Sequence, residues 1–198
     1  MDIKGSGHVG FQAPLTPASQ DAAMEKGRIL TVACAGLAGL FAPIAAQAER
    51  PETNTFAEQL LENHNDARDN VGVPRLEWSQ RLARQAQSWA EQLAQEGRMR
   101  HSTHEQRAQA GENLWMGSAG YFGADVMIGS FVDERRYFRR GTFPNVSTTG
   151  QWSDVGHYTQ VIWRETREVG CAVARNDEND FLVCRYWPAG NTYDRPVY

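Results

Sequence analysis

The stretch that decides the fold lies between Gly156 and Asn191 and reads GHYTQVIWRETREVGCAVARNDENDFLVCRYWPAGN. Two apolar runs in it, residues 169–174 and 181–186, are rich in β-branched and aromatic side chains. The six residues between the runs have the composition of a turn. The pattern therefore predicts an antiparallel hairpin with one cysteine in each strand.

Helices are predicted in the chain before this stretch. Thr55 and Glu58 have the spacing of a capping box, which begins a helix that Gly72 ends. Ser79 is a plausible N-cap for a second helix, and Gly97 ends that one.

A third helix, predicted over residues 124–138, places a carboxylate on an apolar face. Met127, Phe131, Glu134 and Phe138 are four, three and four residues apart, so they share that face. A carboxylate buried alone costs several kcal/mol. Glu134 is therefore expected to face a cleft or a cation, and the alternative is a pair with an internal arginine.

Two segments resemble the signature motifs of the CAP superfamily, which contains cysteine-rich secretory proteins, insect venom antigens and pathogenesis-related proteins. They are residues 156–163, GHYTQVIW, and residues 184–191, CRYWPAGN. The following residue, Thr192, departs from the family's preference for an apolar or aromatic side chain. The resemblance covers roughly Phe56 to Tyr198. It implies an α+β fold, a three-layer α-β-α sandwich with a small antiparallel sheet.

The resemblance also implies a cleft in which two histidines and two glutamates meet. By motif these are His101, Glu112, Glu134 and His157. Family members hold zinc there, so His101 and His157 are the implied ligands of a divalent metal such as Zn²⁺. The carboxylates would orient the histidines or act on metal-bound water, and the alternative is a His–Glu general base without metal.

Two other histidines, His64 and His104, are not assigned to the cleft. His64 lies at helical spacing with apolar residues and is predicted to be a buried or capping histidine bonded to backbone. His104 has no counterpart in the family motifs and is predicted to be solvated.

The segment 24–48 is predicted to be a secretory signal peptide. It has a basic start, an apolar run and the cleavage triplet Ala46-Gln47-Ala48. The alternatives are an uncleaved membrane anchor and a lipoprotein attached through Cys34. Residues 1–23 form a polar extension, and Met24 is an alternative start of translation.

Cleavage would leave one domain, residues 49–198, in a secreted or periplasmic protein with no transmembrane segment. Its two cysteines, Cys171 and Cys184, would form a disulfide in an oxidising compartment, and two buried thiols are the alternative. The chain has 24 acidic and 20 basic residues, a net charge of −4, so nucleic acid is not an expected partner.

The resemblance implies a secreted binding module rather than an enzyme. Its expected partners are a lipid or sterol, or an extracellular protein in a host or competitor. A metal-dependent hydrolase or protease using the same cleft is the alternative. In a third hypothesis, the four residues are only a structural polar network.

Overall fold

The computed structural model describes residues 55–198. The predicted polar extension and signal peptide lie outside the described residues. In the described part, no helix has the length and apolar character needed to cross a membrane. The helices are α1 (Phe56–Asp69), α2 (Gln80–Glu96), α3 (Ala124–Val132) and α4 (Gly156–Val161), with 3₁₀ turns at Asp133–Tyr137 and Trp152–Val155. The strands are β1 (Glu77–Trp78), β2 (Gly111–Ser118), β3 (Glu168–Arg175) and β4 (Asn179–Trp187).

The four strands form one sheet in the order β1-β3-β4-β2. The predicted hairpin is confirmed, because β3 and β4 pair antiparallel with Cys171 opposite Cys184. The small sheet predicted as antiparallel is mixed, since β1 pairs with β3 in parallel. β1 has only two residues, which is too short for a periodic pattern to reveal, and it leads at once into α2.

The sheet lies between two helical layers because alternate side chains of β4 face opposite sides. Phe181 and Val183 pack with the apolar side of α2. Leu182 and Tyr186 join the core on the other side, which α1, α3 and α4 cover. Burial of each large apolar side chain contributes about 1.5–3 kcal/mol. The predicted three-layer α-β-α arrangement is confirmed.

The ends of the first two helices lie where the sequence predicts them. The capping box of α1 is complete: the Thr55 hydroxyl accepts from Glu58 N–H, and the Glu58 carboxylate accepts from Thr55 N–H at 2.6 Å. Ser79 is the N-cap of α2, although its side chain makes no capping bond. Gly97 ends α2 with a φ of 64°, the left-handed conformation that glycine adopts most easily.

A buried arginine on α1 fixes the end of α4. The Arg68 guanidinium donates its hydrogen bonds to backbone carbonyls, at 2.7–3.0 Å. Burial lowers the pKa of Arg68 to about 10. The acceptors belong to Pro74, Val161, Trp163 and Thr166. The last carbonyls of a helix have no partner within it, so Arg68 satisfies carbonyls where α4 ends. This contact holds α4, which carries His157, against α1.

The third helix is shorter than predicted. α3 ends at Val132, and Glu134 lies in the 3₁₀ turn Asp133–Tyr137. Phe138 then has an extended backbone and forms a β-bridge with Ser147. The bridge draws the chain out of the helical path, and tight 3₁₀ turns are common at such helix ends.

Candidate metal centre and binding cleft

His157, the second residue of α4, is held by Glu134. Its Nδ1 lies 2.6 Å from Oε1 of the carboxylate. The other oxygen, Oε2, accepts from the backbone N–H groups of His157 at 2.9 Å and Tyr158 at 3.1 Å. An ionised carboxylate can only accept, so Nδ1 of His157 carries the proton of this bond. Glu134 thus fixes both the imidazole and the first turn of α4.

Two further contacts set the orientation of His157. Its ring stacks on Phe131 of α3, with ring centroids 5.0 Å apart and planes 16° from parallel. Asn113 of β2 donates to the carbonyl of His157 at 3.1 Å. The imidazole is therefore held by elements from two layers of the fold.

His101 follows α2 in an irregular segment and is held in the same way by Glu112 of β2. Its Nδ1 lies 2.7 Å from Oε1 of Glu112. Ser102 donates its backbone N–H to the same oxygen at 3.0 Å and its hydroxyl to Oε2 at 2.8 Å. The buried Arg185 of β4 approaches Oε2 to 3.1 Å. This carboxylate has several donors around it.

Glu112 stays ionised although only 1% of its side chain is exposed. Burial by itself raises the pKa of this carboxyl. The hydrogen bonds from His101 and Ser102 and the charge of Arg185 outweigh that effect, and the pKa lies below its ordinary value. Burial also lowers the pKa of Arg185, against the opposing charge of Glu112.

The four predicted residues thus come together as two histidine–carboxylate pairs. His101, Glu112 and His157 line one cleft of about 650 Å³, whereas Glu134 lies behind His157 and is not part of the lining. The two histidine side chains are 60% and 36% exposed. Within residues 55–198, neither Nε2 atom has a hydrogen-bond partner. A neutral imidazole whose Nδ1–H is held by a carboxylate presents a bare Nε2, which is the usual state of a zinc ligand. Each of the two imidazoles therefore has the form in which histidine binds a divalent transition metal.

In the described part of the chain, one group of three potential metal ligands has its ligand atoms within 4.8 Å of one another. The group contains His64, Cys171 and Cys184, so its histidine is not one of the two that pair with a carboxylate in the cleft. The two sulfurs form a disulfide, so no thiolate is left to bind a metal. Both ring nitrogens of His64 are also occupied, by Leu60 O and Tyr186 Oη, each at 2.8 Å. This group is therefore a buried structural cluster.

His64 is connected to the cleft through buried side chains. The hydroxyl of Tyr186 donates to Nε2 of His64 and accepts from Asn113 at 3.2 Å. Asn113 also holds the carbonyl of His157. Burial lowers the pKa of His64 to about 4, so the ring is neutral at physiological pH. His64 is fully buried and bonded to backbone, as the sequence predicts.

The loops that line the cleft contain unusual backbone conformations. Four non-glycine residues in the described part have positive φ, namely Ala108, Gln109, Asn191 and Asp194. Gln109 and Asn191 line the cleft, and the other two lie within three residues of them. Asn191 accepts from Thr159 at 2.7 Å and donates to Gly156 O at 2.8 Å, which fixes its loop against α4. Such conformations persist where the surrounding structure fixes them, and they concentrate at binding sites.

Sequence reasoning missed several residues that build this site. They are Ser102, Asn113, Arg185, Asn191 and the cleft aromatics Phe143, Trp152 and Tyr193. Arg185 could have been predicted from the sequence, because a charged residue inside an apolar strand needs a buried partner. Ser102 and Asn113 had none, since only the fold brings them to their partners.

The sequence matches the family model described as CAP, the cysteine-rich secretory protein family, over residues 61–186. The chain belongs to the CAP family. Pathogenesis-related protein 1C of Nicotiana tabacum is 36% identical over 142 residues, which are 71% of this chain and 80% of that protein. The Golgi-associated plant pathogenesis-related protein 1 of Homo sapiens is 34% identical over 144 residues, covering 72% and 89%.

Solved structures of CAP proteins share the fold. The crystal structure of NaASP2 with Zn²⁺ superposes with a TM-score of 0.62 at 25% identity, over 75% of this chain and 88% of that one. The structure of BmVAL-1 superposes with a TM-score of 0.61 over 76% and 85%. The family membership and the α+β fold predicted for this CAP domain are confirmed. The roles of His101, Glu112, Glu134 and His157 stay predictions.

Proposed function

We propose that this CAP domain is an exported binding module. Its cleft holds a divalent metal, preferentially zinc, between His101 and His157. One observation carries the proposal. A buried or half-buried carboxylate occupies Nδ1 of each histidine, and each Nε2 has no partner among the described residues. Carboxylates that hold metal-binding histidines in this way set the tautomer and raise the basicity of the ligand.

Zinc is favoured over other divalent metals by the ligand type and by a related structure. Imidazole nitrogen suits zinc, whereas calcium and magnesium prefer oxygen ligands. The related NaASP2 structure was solved with Zn²⁺. Two protein nitrogens leave the remaining positions of a tetrahedral zinc open to water or to a ligand. The expected affinity is therefore moderate.

The bonding of the two carboxylates favours a binding module over a metal-dependent hydrolase or protease. In the hydrolase alternative, one of these carboxylates would take a proton from metal-bound water. Both oxygens of Glu112 and of Glu134 already accept hydrogen bonds from protein groups. Their positions suit holding the histidines. A lipid or sterol ligand and an extracellular protein partner remain the family-based predictions for what the module binds.

Calorimetric titration with zinc chloride tests the metal site. We expect a single site in the parent protein and none in His101→Ala or His157→Ala, with unchanged circular dichroism. His104→Ala is the matched control, because His104 lines the same cleft but makes no contact with either glutamate. It should bind zinc like the parent. Acid should weaken binding, because protonated imidazole cannot ligate.

Each alternative function predicts a different experimental result. Equal heats in the parent protein and in His157→Ala would exclude the proposed site. Turnover of an ester or peptide panel by the zinc-loaded protein, lost in His157→Ala, would favour the hydrolase. Mass spectrometry of solvent extracts from protein recovered after export tests the lipid or sterol ligand.

A further inference from the structure

The cleft contains three packed aromatic residues, Phe143, Trp152 and Tyr193, called the aromatic wall below. Phe143 is buried, whereas Trp152 is 42% and Tyr193 61% exposed. The ring centroid of Phe143 lies 5.3 Å from that of Trp152 and 5.4 Å from that of Tyr193, both in edge-to-face geometry. Two large rings are therefore held in place while much of their surface faces solvent. Exposed apolar rings grouped in a cleft are typical of a ligand site.

The aromatic wall lies next to the histidine of α4. A Cβ atom added to Gly156 would be 3.2 Å from Cζ3 of Trp152, so the indole rests against the residue that precedes His157. A side chain at this position would push the indole away by a few tenths of an ångström. A ligand bound at His157 would therefore have an aromatic surface beside it.

The second histidine–carboxylate pair, His101 and Glu112, lies near more positively charged than negatively charged groups. Two guanidinium groups approach the carboxylate of Glu112, Arg185 to 3.1 Å and Arg107 to 4.0 Å. Nε of Arg107 and both Nε and Nη1 of Arg185 have no acceptor within residues 55–198. Arg107 lines the cleft, and its Nη2 lies 3.1 Å from the ring of His104. This end of the cleft attracts anions even before a metal adds its charge.

We infer that the cleft selects anions that carry an apolar ring. The anionic group lies toward Arg107 and the histidines, and the ring lies on the aromatic wall. A free aryl carboxylic acid and the carboxyl terminus of a peptide that ends in an aromatic residue share this chemistry. The inference rests on the proposed function in taking the same cleft as the binding site, but it does not require bound zinc.

Ligand-detected NMR and calorimetry with three probes test this selectivity. 3-Phenylpropionate carries both features, propionate lacks the ring, and 3-phenylpropan-1-ol lacks the charge. We expect 3-phenylpropionate to bind about tenfold tighter than either of the others, the effect of one well-stacked ring or one charge contact. N-acetyl-glycyl-phenylalanine then separates the sources: tighter binding than 3-phenylpropionate indicates a peptide terminus, and weaker binding indicates a free acid.

Variants separate this inference from the metal site. Trp152→Ala and Tyr193→Ala should each weaken 3-phenylpropionate binding about tenfold and leave zinc binding unchanged. Trp187→Ala and Tyr121→Ala are the matched controls, since both residues are exposed and neither lines the cleft. Tyr193 is the more exposed of the two wall rings, so Tyr193→Ala keeps the test valid if Trp152→Ala folds poorly. Equal affinity for propionate and 3-phenylpropionate, or no loss in both wall variants, would overturn the inference even if zinc binds.

Discussion

At the scale of single residues, the candidate site repeats one arrangement twice. His101 follows α2 and His157 lies in α4, yet each donates a hydrogen bond from its Nδ1–H to a glutamate. The glutamates differ in their own support. Glu112 also accepts from Ser102 and lies beside Arg185, whereas Glu134 also accepts from two backbone N–H groups of α4.

Replacement of Glu134 by Gln is expected to weaken zinc binding 10- to 100-fold. An amide cannot accept hydrogen bonds on both arms, so it would lose either the imidazole or the backbone of α4. Competition of the variant with a fluorescent zinc chelator measures the loss. Asp133→Asn is the matched control, because Asp133 is the exposed neighbour in the same turn. An affinity in Glu134→Gln equal to that of Asp133→Asn would show that Glu134 does not support the ligand.

His64 is expected to make the stability of the protein fall in mild acid. Its pKa is lowered from 6.5 to about 4 by burial, so below pH 6.5 the unfolded chain binds a proton that the folded chain does not. This contribution is complete above pH 6.5 and is lost as the pH falls toward 4. The difference corresponds to about 3 kcal/mol in the free energy of unfolding.

Urea unfolding at a series of pH values from 7 to 4 measures this dependence. His64→Gln is expected to be less stable at pH 7 and to lose less stability on acidification. His104→Ala, in which an exposed histidine is removed, should keep the slope of the parent protein. A slope in His64→Gln equal to that of the parent would exclude His64 as the titrating group.

At the scale of elements, the hairpin of β3 and β4 supports both helical layers. Its alternating side chains supply the core on each side, and the disulfide joins directly opposed residues, Cys171 and Cys184. The same strand β4 carries Arg185 to Glu112. The hairpin therefore connects the stability of the fold with the position of one histidine pair.

Loss of the disulfide is expected to lower the free energy of unfolding by ~3 kcal/mol. The bond closes a loop with a sequence separation of 13, and the unfolded chain gains the entropy of that loop when the bond is absent. Denaturant unfolding of Cys171→Ala/Cys184→Ala beside the oxidised parent measures the change. Recovery of two alkylated thiols from the native parent protein would contradict the premise.

At the scale of the whole molecule, the described domain accounts for residues 55–198 and is preceded by the predicted signal peptide. The family is described as secretory, which agrees with export of this chain. Export remains a proposal here, because the segment 24–48 lies outside the described residues.

Cleavage is expected after Ala48, so the exported protein should begin at Glu49. The reason is the triplet Ala46-Gln47-Ala48 after an apolar run with a basic start. N-terminal sequencing of material from the extracellular or periplasmic fraction measures the start. An intact N-terminus on membrane-bound protein would favour the anchor, and a lipid on Cys34 would favour the lipoprotein.

The sequence alone determined the features that depend on local order. The hairpin, the capping box of α1 and the end of α2 at Gly97 follow from patterns within a few residues, and all three are confirmed. The family motifs pointed to the two histidine–carboxylate pairs, but spacing alone placed only Glu134 on an apolar face. That placement assumed a helix to residue 138, which the structure ends at Val132.

Only the tertiary structure decided how the site is built. The histidine pairs join residues 11 and 23 positions apart, Arg185 is 73 positions from Glu112, and Trp152 and Tyr193 meet on Phe143. A sequence pattern reports on neighbours along the chain, whereas these contacts depend on how α4, β2 and β4 pack around one sheet. The same packing sets the orientation of both imidazole rings, so the chemistry of the cleft is a property of the fold.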